Sequence, residues 1–223
     1  MKKPSDSFIR PTKERIFDAA VDLFSQKGFN GVSIREISRQ VGIKESSFYN
    51  HYQSKEELQN AILNRFKQEN LARPVPAQAL GELIKTLSVE DFWKRSLTNY
   101  MDFWEPPARM KLWFVVSMEQ YSNRLAGRLV LEETHRLLEL LESIFQEMIV
   151  FGKVKPLNPK MLASTYGYAI RAMHLEYGIL KILNKDPSEL KKHMFDFVRF
   201  FADSIQSGPD QAGKSSPGLR SRR

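Results

Sequence analysis

The stretch Ser33–Leu58, SIREISRQVGIKESSFYNHYQSKEEL, decides how this chain is read. It opens on Ser33-Ile-Arg-Glu36. At that spacing a serine oxygen accepts the amide three residues on while the glutamate reaches back, the reciprocal cap that starts a helix. Ile34, Ile37 and Val41 follow at three and four, so they share one face of a short helix, and Gly42 stops it. A second short helix is expected over residues 45–52 after a turn of two or three residues, with Phe48 as its inward anchor. Ser46, Ser47, Asn50 and His51 then point outward; all are hydrogen-bonding groups, and such a helix gains little from burial. Ser54-Lys-Glu-Glu57 repeats the start signal for a longer helix with Leu58, Ile62 and Phe66 on one side.

The same signals organise the rest. Upstream, Ile16, Ala20, Leu23 and Phe24 mark an amphipathic helix over about 12–27, between Pro11 and Gly28. Downstream, Arg73-Pro-Val-Pro76 punctuates the chain. Ser88-Val-Glu-Asp91 opens a helix holding Phe92, Trp93, Leu97, Tyr100, Met101 and Trp104, and Pro106-Pro107 breaks it and begins the next, with Met110, Trp113, Phe114 and Met118. Helices are expected over about 125–151, from Asn158-Pro159 to about 183, and from Asp186-Pro187 to about 204. No strand pattern and no internal repeat emerges. The fold class is all-α: an N-terminal three-helix helix-turn-helix domain at 1–57, a C-terminal helical domain at 58–206, and a Gly/Ser/Pro-rich basic tail at 207–223 expected to be disordered.

Composition narrows the function classes. With 223 residues, 42% hydrophobic and 27% charged, the chain is long and apolar enough to bury a core. The absence of cysteine excludes thiol catalysis, thiolate zinc sites and disulfides. The longest run free of Asp, Glu, Lys and Arg, Met161–Ile170, is ten residues, against about 18 for a membrane span. Lys2 and Lys3 are followed by no apolar run, so the expectation is a soluble cytoplasmic protein with no membrane partner. Net charge is +8, but residues 1–57 hold 10 basic against 8 acidic side chains. The argument for a polyanionic partner therefore rests on placement: Arg35, Lys44 and Lys55 surround a polar helix.

Two short helices about a tight turn can be an ordinary helical hairpin or a helix-turn-helix whose second helix enters the DNA major groove. Lys55 follows the cap Ser54, where a cation opposes the helix dipole unless a phosphate docks there. The alternative is a solvated lysine offset by Glu56 and Glu57. Tyr49 offers a phenol to a phosphate, or packs half-buried.

Thr12–Leu58 resembles the N-terminal DNA-binding domain of TetR-type (tetracycline-repressor-like) transcriptional regulators. The matching residues are Ile16, Ala19-Ala20, Leu23-Phe24, Gly28, Ser33, Ile34, Ile37, Val41-Gly42, Phe48-Tyr49, His51-Tyr52, Ser54-Lys55 and Leu58, about 47 residues without a gap. The remainder matches in helical character and length. The resemblance implies contacts from Ser33 and Arg35 at the start of the first motif helix. It implies groove-facing roles for Lys44, Glu45, Ser46, Ser47, Asn50 and His51, and phosphate clamps at Tyr49 and Lys55. Lys44 departs from the Ser or Thr common in the family, so that helix start lacks a side-chain cap. Glu45 either accepts from cytosine N4 or serves as a first-turn acid.

The resemblance further implies a homodimer on a palindromic double-stranded operator. In the last helix Leu190, Met194, Phe195, Phe197, Val198, Phe201, Ala202 and Ile205 span roughly 160°, wider than the ~100° one core contact needs. Ala163, Gly167, His174 and Gly178 form a stripe on the helix before it. Ala163, Gly167, His174, Phe195, Val198, Ala202 and Ile205 are thus dimer-interface candidates; the alternative is burial within one subunit. Trp93, Tyr100, Trp104, Trp113, Phe114 and Tyr121 are candidates to line a pocket for an unknown, largely apolar or aromatic effector; the alternative is plain aromatic core. His135, His174 and His193 are isolated, and no acid/base pair, metal cluster or phosphate loop emerges, so no catalytic residue, metal or cofactor is expected and the chain is not read as an enzyme. The resulting expectation is a ligand-responsive transcriptional repressor. The alternatives are a DNA-binding protein of the same fold with no small effector, acting in chromosome organisation or through a protein partner, and an α-helical small-molecule-binding enzyme.

Overall fold

The structure, a computed structural model, describes residues 10–70 and 77–208. Ten helices occur among them: α1 (Thr12–Lys27), α2 (Ile34–Val41), α3 (Glu45–Phe48), α4 (Lys55–Asn70), α5 (Ala77–Thr86), α6 (Val89–Trp104), α7 (Pro107–Glu119), α8 (Arg124–Val150), α9 (Pro159–Ile182) and α10 (Ser188–Ile205). Extended pairing among the described residues is limited to an isolated bridge between Val154 and Gln206. The all-α expectation holds. The expected tail beyond Gly208 and the Arg73–Pro76 segment lie outside the described residues.

The chain forms two compact units, each from two stretches: Met1–Arg73 with Trp104–Glu133, and Pro74–Phe103 with Thr134–Arg223. In the first unit the three- and four-residue spacing of α1 puts Ile16, Ala20 and Phe24 into a core shared with Ile37, Phe48, Leu58, Ile62 and Phe66, all essentially inaccessible. Trp113 of α7 stacks on Phe66 at 5.9 Å and lies tilted against Trp104 at 5.5 Å, so α7 completes this core.

The second unit is built on aromatic contacts. Trp93 lies 4.8 Å from Phe145 and 4.5 Å from Tyr166, whose ring meets Phe201 at 5.3 Å. At Gly167 a Cβ would come within 2.8 Å of Leu138 Cδ2 and 3.0 Å of Leu141 Cδ1, so the missing side chain lets α9 approach α8 inside the subunit. α5 was not anticipated from sequence. Its last turn is held from a distance: Lys153 Nζ donates to the carbonyl oxygens of Lys85 and Leu87, a cation satisfying the end of a helix. Of the described helices, none is long and apolar enough to cross a membrane.

Candidate nucleic-acid interface

The candidate residues lie in the first unit, on α2, α3 with the turn after it, and the start of α4. The cap of α2 is reciprocal: Ser33 N donates to Glu36 Oε2 at 2.8 Å, and Glu36 N donates to Ser33 Oγ at 3.2 Å. The bond from the Ser33 amide, then Lys27 at 3.1 Å and the Ser33 hydroxyl, hold the Glu36 carboxyl down to about 2. At the other end Gly42 takes the left-handed conformation, φ 75°, and its amide together with that of Ile43 closes the helix on Arg39 and Ser38. Arg15 of α1 donates to the Val41 carbonyl, fixing the turn from behind.

α3 is shorter than the expected 45–52. Lys44 sits at its N-cap with no side-chain bond to the helix amides, and after Phe48 the chain continues in tight turns. There Asn50 N donates to Ser47 O, and His51 N and Tyr52 N both donate to Phe48 O. Phe48 is wholly buried and Tyr52 nearly so, their rings 6.0 Å apart, and these two side chains seat the segment. Lys44, Glu45, Ser46, Tyr49 and Asn50 are exposed, while Ser47 and His51 are half-buried. Tyr49 rests edge-on against Phe48 at 5.6 Å yet is 52% exposed, which leaves its phenol outward. Ser33 and Arg35 are exposed at the start of α2. The ten residues singled out from sequence therefore fall on one contiguous stretch of the first unit.

Lys55 differs from the expected free clamp. Its ammonium donates to the carbonyl oxygens of Phe29 and Val32, both at 2.9 Å, and lies 4.1 Å from the centre of the Phe29 ring. Two of its three N–H groups hold the loop between α1 and α2, so its charge is engaged inside the protein. Sequence reasoning also missed the partner of that grip. Glu119 of α7, buried, accepts from Phe29 N at 3.1 Å, so the loop is held by a cation on its carbonyls and a carboxylate on its amide. Lys111 of α7 pairs with Asp22 of α1, and Asn123 donates to Gln59 of α4 at 3.0 Å while capping α8. A lone acid among apolar positions of α7 was the one available signal for Glu119.

The six aromatic pocket candidates are not brought together. Trp93 and Tyr100 line a cavity of about 350 Å³ in the second unit. Trp104 and Trp113 pack in the first unit's core, Phe114 is half-buried on α7, and Tyr121 is 94% exposed. Among the dimer candidates, Ala163, Gly167, His174, Val198, Ala202 and Ile205 are buried inside the subunit, and Phe195 packs against the same core. Much of the wide apolar arc of α10 is buried in the core of its own subunit. Burial, and then the nearby Arg171, lower the His174 pKa to about 4, so the imidazole is neutral at pH 7. The open apolar face is elsewhere: Met161, Tyr168, Leu175, Ile179 and Ile182 recur along α9 at steps of seven, four and three and are all exposed, and Phe200 of α10 is 71% exposed.

Comparison with known proteins places this geometry. The model of the family described as bacterial regulatory proteins, tetR family, matches residues 16–62. The biofilm operon negative transcriptional regulator IcaR of Staphylococcus epidermidis is 48% identical over 46 residues, 21% of this chain and 25% of that protein. The transcriptional regulator UidR of Escherichia coli K12 is 34% identical over 95 residues, 40% of this chain and 48% of that protein. The chain thus spans half or less of the curated relatives it matches. Over the whole fold, a TetR family transcriptional regulator from Pseudomonas syringae superposes with TM-score 0.59 at 19% identity, covering 90% of this chain and 100% of that one. One from Agrobacterium tumefaciens gives TM-score 0.59 at 16% identity, covering 88% and 98%. Residues 16–62, the segment that carries α2, α3 and the start of α4, are thus similar to the DNA-binding segment of the tetR family of bacterial regulatory proteins.

Proposed function

We propose that this protein is a homodimeric transcriptional regulator that represses at a palindromic operator and leaves it when a small, largely apolar or aromatic molecule enters the second unit. The observation that carries the reading is α3: four residues seated by Phe48 with every outward side chain polar. A segment so short and so polar repays its ordering by what it contacts outside. In this reading residues 1–57 bind DNA and 58–206 serve ligand and partner. Lys44, Glu45, Ser46, Ser47, Asn50 and His51 face base edges, Arg35 and Tyr49 take phosphates, and Ser33 presents the start of α2. Lys55 serves the same surface through the loop it holds.

Repression is supported by the name of the IcaR relative, a negative regulator. The second subunit is supported by the exposed apolar stripe of α9, which a lone chain leaves in water. Ligand response is supported by the cavity at Trp93 and Tyr100. The ligand acts only by binding the form that cannot hold DNA better than the form that can. Selection of bound sites from random DNA tests the proposal. Two-fold-related half-sites, about one helical turn apart or a multiple of it, are expected. Absence of any enriched symmetric site would overturn it.

A further inference from the structure

We propose that the molecule taken by the second unit's cavity is a monoanionic amphiphile, an apolar body ending in a carboxylate, with its head on Arg95 and Asn99 of α6. This rests on the ligand-responsive reading above and names the chemistry of that site.

The cavity, about 350 Å³, is walled by side chains from α5, α6, α8 and α9, among them Leu83, Phe92, Leu97, Leu140, Ile144 and Ile170. That is the size and character of a site that swallows most of a small apolar molecule. Inside, the only polar side-chain groups among the described lining residues are the buried indole N–H of Trp93 and phenol of Tyr166; the rest of its polar lining comes from α6. Arg95 and Asn99, four residues apart on α6, are neighbours on one helical face and are both exposed; Ser96 and Tyr100, also four apart, line it and are half-buried. The guanidinium and the amide thus come from exposed residues while the buried lining is uncharged and mostly apolar, the profile of a molecule with one charged end.

The sign of that end follows from charge. Among the described residues lining the cavity Arg95 is the one charged side chain, and no carboxylate joins it. Of the acids of α6, Glu90 pairs with Lys94 at 2.6 Å, Asp91 accepts from Ser88 at 2.7 Å, and Asp102 is exposed beyond Asn99 and does not line the cavity. Behind Tyr100, at 5.1 Å between ring centres, His174 is buried and neutral, so the interior adds no second cation. An ammonium head would meet a guanidinium and no counter-charge. A carboxylate meets a planar fork matched to its two oxygens, with the Asn99 amide one turn away.

Titration of the full chain with decanoate, decanol and decylammonium, each below its micelle threshold and followed by calorimetry, tests this. Decanoate is expected to bind about tenfold tighter than decanol, from a charge-assisted bond at a partly wet rim, and decylammonium weakest. Shortening the carboxylate by one methylene should weaken binding about fourfold. Arg95→Gln, an exposed position, should bring decanoate down to decanol while leaving decanol unchanged. Decanol equal to or tighter than decanoate, or a decanoate advantage that survives Arg95→Gln, would overturn the assignment. If none of the three binds, the assignment falls, while the ligand-responsive reading is judged separately by whether any apolar or aromatic molecule releases the operator. If decanoate binds through Arg95 but leaves operator binding unchanged, the assignment stands and the effector reading fails.

Discussion

Replacing Lys55 with alanine separates two roles that a positive charge beside DNA can play. The ammonium makes two 2.9 Å bonds to main-chain carbonyls and rests 4.1 Å from the Phe29 ring centre. A hydrogen bond from a charged donor contributes about 1.5–3 kcal/mol, and a cation–π contact about 0.5–1 kcal/mol where exposed. The group is half-buried, so water takes over part of these bonds when the side chain is removed, and a net loss of about 2 kcal/mol is expected. For a chain of this size that lowers the unfolding midpoint by about 4–8 °C. The same change loosens the loop leading to Ser33, so operator affinity should fall as well. A lysine that neutralises a phosphate lowers the slope of log affinity against log salt by about 0.9, whereas a lysine that holds a loop does not. Fluorescence anisotropy on a selected operator across a salt series should give parallel lines for wild type and Lys55→Ala, displaced by a constant factor. A slope reduced by about one, with an unchanged unfolding midpoint, would refute the structural role.

Tyr49→Phe keeps the ring on Phe48 and removes only the outward phenol; operator affinity should fall by up to about tenfold, equally on all sequences, with no change in unfolding. A change confined to particular sequences would show base reading instead. Glu36 titrates near 4.5 when unfolded and at about 2 in the cap. Its stabilisation of α2 is therefore fully present above the unfolded value and is lost as pH falls from there through the folded one. Wild type and Glu36→Gln should differ in melting at pH 7 and converge as pH falls towards 2; a gap that stays constant would mean that the carboxylate is not what stabilises. Leu175→Asp with Ile179→Asp, both exposed on α9, should give a folded monomer by light scattering if that stripe seats the second copy. A dimer of wild-type strength would place the interface elsewhere.

Elements whose stop and start signals lie within four residues were legible before any coordinates. Ser33 with Glu36, Ser88 with Asp91 and Asn158 with Pro159 each satisfy their own helix amides locally, and each helix begins where those residues put it. α5 was missed because its closure is remote: the cation on its last carbonyls is Lys153, more than sixty positions on. α3 was overdrawn because Phe48 was read as the anchor of a helix over 45–52, whereas uncapped Lys44 and the turns after Phe48 leave four helical residues. The aromatic pocket failed for a related reason. Trp93 and Trp104 share α6, but eleven residues of helix carry the second into the other unit's core. The α9 stripe was hidden by attention to small residues: Gly167 signals close packing, and only coordinates show that the close neighbour is α8 of the same subunit.

The loop between α1 and α2 is gripped at its main chain, by Lys55 on two carbonyls and Glu119 on one amide. A hold on backbone atoms is indifferent to the wording of the side chains it supports. The outward letters of α3 and the turn after it, Ser46, Ser47 and Asn50, can therefore be rewritten by evolution or by an engineer without dismantling their mount. Changes at Lys55 or Glu119 instead unsettle every word at once. Binding preference and structural integrity become separately heritable traits, and a library confined to α3 should yield new specificities from proteins that still fold.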